Sequence, residues 1–184
     1  MWLFVAKSQK YLPDHPRVGT LVTPSNAAIP GQVWAADNEA FVGFDARKFT
    51  MMLERIDQYE GCRFVAVPDV VADHKATLKR WRQWRNRISQ PAAFVLQDGC
   101  QEVPDDADAV FVGGSIEWKL SDDAHRLIDG FDGWRHMGRV NSVRRLKLAK
   151  SWGIDSVDGT GMARYTDTKL PLYLEATEHM QGHL

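Results

Sequence analysis

From Val33 onward the chain repeats one unit, a short β-rich apolar run followed by a polar stretch patterned as a helix. This alternation narrows the fold more than any other feature, because parallel strands need a crossover long enough to hold a helix, and such crossovers are right-handed. The apolar runs place strands at 33–36, 63–67, 92–96, 109–112, 134–137 and 154–157, with two more at 2–5 and near Leu21. Helices are expected over about 45–60, 73–88, 121–131 and 142–152. Asp45, Asp73, Ser121 and either Asn141 or Ser142 stand where a side-chain oxygen can cap the first free amides, and Gly153 can end the last helix. Tyr11 to Gly31 holds Pro13, Pro16, Pro24 and Pro30 and reads as a loop-rich entry segment.

Repeated strand–helix units fit an open doubly wound sheet or a (β/α) barrel. The strand count approaches eight, which favours an α/β fold of the compact (β/α)8 TIM type. At 184 residues the chain is short against the ~250 usual for that fold, so some helices must be trimmed or absent. The same length fits a single domain spanning residues 1–184.

Hydrophobic residues make up 44% and charged residues 26%, ordinary globular usage that argues against disorder or a fibrous repeat. No apolar run is long enough to cross a bilayer, and the apolar start is too short for a signal peptide, so a cytoplasmic protein with no membrane partner is expected. Cys62 and Cys100 form no CxxC pair and are expected to be reduced thiols. No cofactor and no bound metal are expected. No GxGxxG follows a strand and no GxxxxGK[ST] occurs, which removes the main arguments for a dinucleotide or nucleoside-triphosphate site.

The net charge of -1 argues against coating nucleic acid through bulk charge. Basic residues nevertheless crowd two segments, Lys79, Arg80, Arg82, Arg85 and Arg87 in one, and Arg139, Arg144, Arg145, Lys147 and Lys150 in the other. Each is either a solvated helix face or a place for phosphates. Trp81 and Trp84 read as packing for a helix against the barrel rather than as stacking platforms for bases.

In parallel α/β folds reactive groups cluster beyond the carboxyl ends of the strands, where the loops converge. Reading each strand end in turn gives Asp37-Asn38-Glu39, Asp69, Gln97-Asp98-Gly99, Gly113-Gly114-Ser115, Gly138-Arg139 and Asp158-Gly159. Any one of these could be an ordinary turn. Together, carboxylates, an amide side chain and a diglycine on one face describe a pocket for a small polar ligand.

The same segments, in order, resemble motifs of the tRNA-guanine transglycosylase superfamily, most closely its DNA-acting branch that inserts 7-deazaguanine bases. Asp37-Asn38-Glu39-Ala40-Phe41 resembles the DSGGF or DSGAF signature, Asp69 falls where a base-reading aspartate is found, and Leu96-Gln97-Asp98-Gly99 resembles VQGG. Val112-Gly113-Gly114-Ser115 resembles VGGL, and His136-Met137-Gly138-Arg139-Val140 followed by Gly153-Ile154-Asp155-Ser156-Val157-Asp158 resembles the MGVG and GIDxFD pair. Asn38-Glu39 stands where the signature has Ser-Gly, Asp98 replaces a glycine, and the C-terminal CxCxxC and histidine zinc module has no counterpart, which turns the expectation from tRNA towards DNA.

The resemblance implies a base-exchange enzyme, a pentosyltransferase that replaces guanine in nucleic acid by a 7-deazaguanine base through a covalent aspartyl intermediate. Asp158 would be the nucleophile and Asp37 the general acid and base. Asn38, Phe41, Asp69, Gln97, Gly113, Gly114, Met137 and Gly138 would form the substrate pocket, with the Gly113-Gly114 amides on the carbonyl of the base. Arg139, Arg144 and Arg145 would hold nucleic-acid phosphates. Two other classes use similar residues: a metal-dependent barrel lyase or phosphosugar enzyme, and a nucleic-acid-binding relative without turnover.

Overall fold

The computed structural model describes residues 1–178. Eight strands, all parallel and each paired with its sequence neighbours, close into a barrel: β1 Trp2–Val5, β2 Val18–Val22, β3 Trp34–Ala36, β4 Cys62–Ala66, β5 Ala92–Leu96, β6 Ala109–Val112, β7 Trp134–Met137 and β8 Ser156–Asp158. The last strand pairs with the first, Leu3 opposite Val157, so no edge is left unpaired. The chain is thus a trimmed TIM-type barrel. Helices α1 Ala46–Ile56, α2 His74–Trp84, α3 Ile116–Lys119, α4 Asp122–Asp129, α5 Val143–Ser151, α6 Thr160–Arg164 and α7 Thr166–Glu178 follow β3, β4, β6, β7 and β8, whereas the connections after β1, β2 and β5 carry no α-helix.

The helix starts follow from their caps. Asp45, Asp73, Ser121 and Ser142 each accept a hydrogen bond from an amide in the first turn of α1, α2, α4 and α5. Each longer helix lays a stripe on the barrel: Phe49, Met52 and Ile56 from α1, and Thr77, Trp81 and Trp84 from α2. Trp81 stands edge-on to Phe94 and Trp84 edge-on to Phe49, so both tryptophans pack the helix layer as expected. Among the described residues no helix is long and apolar enough to cross a membrane.

Strand parity decides what reaches the site. Successive side chains of a strand alternate between the helix layer and the barrel interior. Phe4, Leu21, Ala35, Phe64, Ala66, Ala93, Val95, Ala109 and Phe111 form the inner cluster, while Leu3, Val112, Met137 and Val157 belong to the outer one. The register of β7 and β8, His136 opposite Ser156 and Met137 opposite Val157, puts His136 and Ser156 inside with Asp158 two residues on.

Candidate functional site

At the carboxyl ends of the strands a cavity of about 60 Å³ is lined by residues that include Asp37, Asn38, Phe41, Asp69, Gln97, Gly113, Gly114, Lys119, Arg139 and Asp158. Most of the expected pocket residues therefore converge. The cavity is far smaller than the ~300 Å³ lower bound of drug-sized ligand sites. Its mouth is spanned by Arg139, whose guanidinium lies 4.0 Å from the centre of the Phe41 ring and donates to the Gly114 carbonyl at 3.0 Å. Phe41 is 63% exposed, and Arg139 covers its ring from within the pocket lining.

Asp158 is the last residue of β8, and both of its oxygens are held: Oδ1 accepts from the Arg139 backbone N–H at 3.1 Å, and Oδ2 lies 3.0 Å from His136 Nε2. Asp37, which follows β3, is half-buried facing Asp158 and Asp69; desolvation first, and those two carboxylates next, push its pKa up to about 7. A carboxyl that keeps its proton to near neutrality in a pocket with a second carboxyl is suited to acid–base work.

Asp69 is buried and its carboxyl is raised above the usual range, chiefly by that burial. Its oxygens accept from Asn38 Nδ2 at 2.8 Å and Gln97 Nε2 at 2.6 Å, leaving lone pairs for a ligand. Asn38 has little left to offer: its Nδ2 also donates to the Val67 carbonyl at 2.9 Å, and its Oδ1 accepts from the Ala40 amide at 2.7 Å. It orients Asp69 from the wall of the pocket. Gln97 accepts from the Ala72 amide at 2.8 Å and keeps one N–H of its amide for the pocket.

Two expectations are corrected, the inward orientation of Met137 and the role of the Gly113 amide. Met137 faces the helix layer, because His136 and Gly138, its neighbours on either side, have the inward parity. The Gly113 amide is spent on the Leu96 carbonyl at 3.0 Å, so it cannot hold the carbonyl of a base. Gly114 is required by its own backbone, φ +76°, and by crowding, since a Cβ there would sit 2.6 Å from Asp98 Oδ2 and 3.1 Å from Trp118. Arg144 is exposed on α5 and lines no part of the pocket. Gly114→Val is accordingly expected to destabilise the protein by at least about 2 kcal/mol in urea denaturation. A variant as stable as wild type would mean that the backbone relaxes freely here.

Asp98, in place of the signature glycine, binds the Ser115 amide at 2.8 Å and the Ser115 hydroxyl, tying the loop after β5 to the one after β6. The first basic segment is largely structural: Arg85 pairs with Asp108 at 2.9 Å, Arg87 covers Trp84, and Arg80 covers Phe44 while donating to the Asp69 carbonyl. In the second, Lys150 donates to the Thr177 carbonyl, whereas Arg139 and Arg145 line a notch beside the pocket together with Lys119 and Asn141.

Two residues escaped the sequence reading. Lys119 at the end of α3 is buried and donates to the Gly138 carbonyl at 2.7 Å; burial, and then Arg139, push its pKa down to about 8. His136 lies fully buried beneath Asp158. Its inward parity with Asp158 could have been read from the strand alternation, but the position of Lys119 depends on a one-turn helix that no periodicity announces. Among the described residues no three His, Cys, Asp or Glu side chains are placed to hold a metal ion.

Comparison with protein families, with curated proteins and with solved structures finds no match to this chain. The function therefore has to be argued from the pocket.

Proposed function

We propose that this protein is a base-exchange transglycosylase that replaces guanine in nucleic acid, DNA in preference to tRNA, by a 7-deazaguanine base through a covalent aspartyl intermediate. The observation that carries the reading is the carboxyl pair: Asp37, raised to about 7, shares one pocket with Asp158, which is tethered at both oxygens. Exchange at a glycosidic carbon requires a nucleophile and a separate group that can first give and then take a proton.

In the first half-reaction a carboxylate oxygen of Asp158 attacks C1′ of the nucleotide. The bond from C1′ to the guanine nitrogen breaks, its electron pair stays with guanine, and Asp37 supplies the proton that makes the base a neutral leaving group. In the second, the ring nitrogen of the incoming deazaguanine attacks C1′ and loses its proton to the Asp37 carboxylate. The ester to Asp158 breaks, and its electrons return to that carboxylate. Asp69 and the free N–H of Gln97 face the edge of the base, where a guanine-like amidine gains charge-assisted hydrogen bonds from a carboxylate. The target nucleotide has to leave the stack to reach a pocket at the barrel mouth.

Two further features support this assignment. Glu39 stands where the signature has glycine and adopts φ +60°, a backbone conformation that glycine favours. Lys119, Arg139 and Arg145 gather on one side of the pocket, and among the described residues no carboxylate lines the notch between them, which suits a phosphate next to the reacting sugar.

Labelled guanine incubated with the protein and either DNA or tRNA tests the function. Label is expected in DNA; label in tRNA alone would transfer the activity to the other polymer, and label in neither would remove the reading. DNA affinity is also expected to fall with salt. Arg145→Glu should flatten the slope of log affinity against log salt by roughly 0.7–0.9 for the lost contact, and exposed Arg144→Glu by less. Equal slopes in wild type and Arg145→Glu would make the notch a solvated surface.

A further inference from the structure

His136 sits inside the barrel beneath Asp158, with the rings of Phe4, Phe64 and Phe111 at centroid distances of 6.1, 4.8 and 4.6 Å. In such surroundings an unused ring nitrogen is costly, and neither is unused. Nε2 lies 3.0 Å from Asp158 Oδ2, and Nδ1 lies 2.8 Å from Ser156 Oγ. Ser156 Oγ also accepts from Trp134 Nε1 at 2.8 Å.

The chain of donors has a direction. An indole N–H only donates, so Trp134 fills one acceptor site of the Ser156 oxygen and leaves the hydroxyl hydrogen to be placed. Among the described residues His136 Nδ1 is its one acceptor. Nδ1 is then bare, Nε2 carries the hydrogen, and that hydrogen points at Asp158. The opposite polarity, a protonated Asp158 donating to Nε2, would make Ser156 accept from both Trp134 and His136 and strand its own hydrogen in an apolar layer.

We infer that His136 is a positioning residue that decides which carboxyl at the barrel mouth holds the proton: its Nε2–H keeps Asp158 as the carboxylate, so the proton retained by the site resides on Asp37. The other charged groups facing the pair are Lys119 from α3, whose charge attracts Asp158, Arg139 from the loop after β7, and Asp69 from the loop after β4, which disfavours an anion on Asp37. Burial, the largest influence on His136, pushes its pKa down, in keeping with a neutral ring that has only one hydrogen to give. In the proposed reaction the same hydrogen bond stabilises Asp158 as the departing carboxylate of the second half-reaction. That consequence rests on the transglycosylase reading, whereas the location of the proton does not.

The test therefore reads protons without turnover. Protein labelled with ¹³C at the aspartate carboxyls is titrated by NMR as wild type, His136→Phe and His136→Gln, with resonances assigned from Asp37→Asn and Asp158→Asn. In wild type the Asp37 carboxyl is expected to titrate near neutrality while Asp158 stays ionised. Phenylalanine suits the aromatic surroundings but cannot donate, so in His136→Phe the Asp37 midpoint should fall by about one unit or more as the proton is redistributed to Asp158. The glutamine amide can donate, and His136→Gln should recover most of the difference.

The ring nitrogens of wild-type His136, observed by ¹⁵N NMR at neutral pH, should show a bare Nδ1 and a protonated Nε2, a measurement that needs no variant to fold. A protonated Nδ1, an unmoved Asp37 midpoint in folded His136→Phe, or identical behaviour of the two variants would overturn the inference. The expected shifts in a protein that exchanges no base would sustain it and count against the transglycosylase reading alone.

Discussion

Asp158→Asn is expected to leave a folded protein whose base exchange is lower by roughly 10⁴-fold or more, because an amide oxygen is too weak a nucleophile to form the ester. The fold should tolerate the change. The asparagine oxygen can still accept from the Arg139 amide, and its NH2 can face His136 Nε2 if the imidazole moves its hydrogen to Nδ1, at the cost of leaving the Ser156 hydroxyl hydrogen without an acceptor, so a lower melting temperature of the folded variant is expected. The measurement is label exchange alongside a thermal melt, with denaturation of the wild-type reaction used to look for nucleic acid bound covalently to protein. Near-wild-type exchange by the folded variant would remove Asp158 as the nucleophile.

Asp37→Asn should lose activity and gain stability, and the gain should depend on pH in one direction. The folded protein holds a proton on Asp37 up to about pH 7, whereas its ordinary value is 3.8. Between these two values the folded state binds more protons than the unfolded chain, so stability falls as pH rises through the window. Below the window both states are protonated and asparagine confers no advantage. Above it the half-buried charge is fully present, and removing it is expected to stabilise by about 2–4 kcal/mol, the shift converted at 1.36 kcal/mol per unit and reduced for partial access to water. Urea denaturation at pH 4 and pH 8 decides the matter. Equal stability of wild type and variant at pH 8 would mean that the carboxyl is not under electrostatic strain and is poorly suited to holding a proton at neutrality.

A stability gain coupled to loss of turnover is what a group retained for chemistry should show, since any residue kept only for packing would lose stability on substitution. The inward-facing residues illustrate the contrast. Asn38 and Gln97 are polar and buried, yet their hydrogen bonds are almost entirely satisfied within the protein. Asp37 is the carboxyl that the surroundings penalise most visibly.

Much of the barrel could be read from residue order, because its causes are local. β1, β5, β6 and β7 occupy the ranges that their apolar runs define, and Asp45, Asp73, Ser121 and Ser142 cap the helices they precede. A side-chain oxygen three residues from a free amide needs no tertiary partner to act. The strand ends also led to Asp37, Asp69, Gln97 and Asp158, since parallel topology alone sends them to one face. Parity was equally present in the chain, and applying it strictly would have turned Met137 outward and His136 inward.

What could not be read there depends on partners distant in sequence. α7 forms although Pro171 interrupts it, because Leu170 and Tyr173 are buried and Lys150 of α5 reaches the Thr177 carbonyl. A helix with a weak apolar face is stabilised by the surface it meets. The proton on Asp37 has the same origin: an aspartate in isolation titrates as any other, and only closure of the barrel brings Asp158 and Asp69 to it and excludes the water that would screen them. The relay from Trp134 through Ser156 and His136 to Asp158 likewise needs β7 and β8 side by side in register, a pairing set by the closed sheet and by no segment alone.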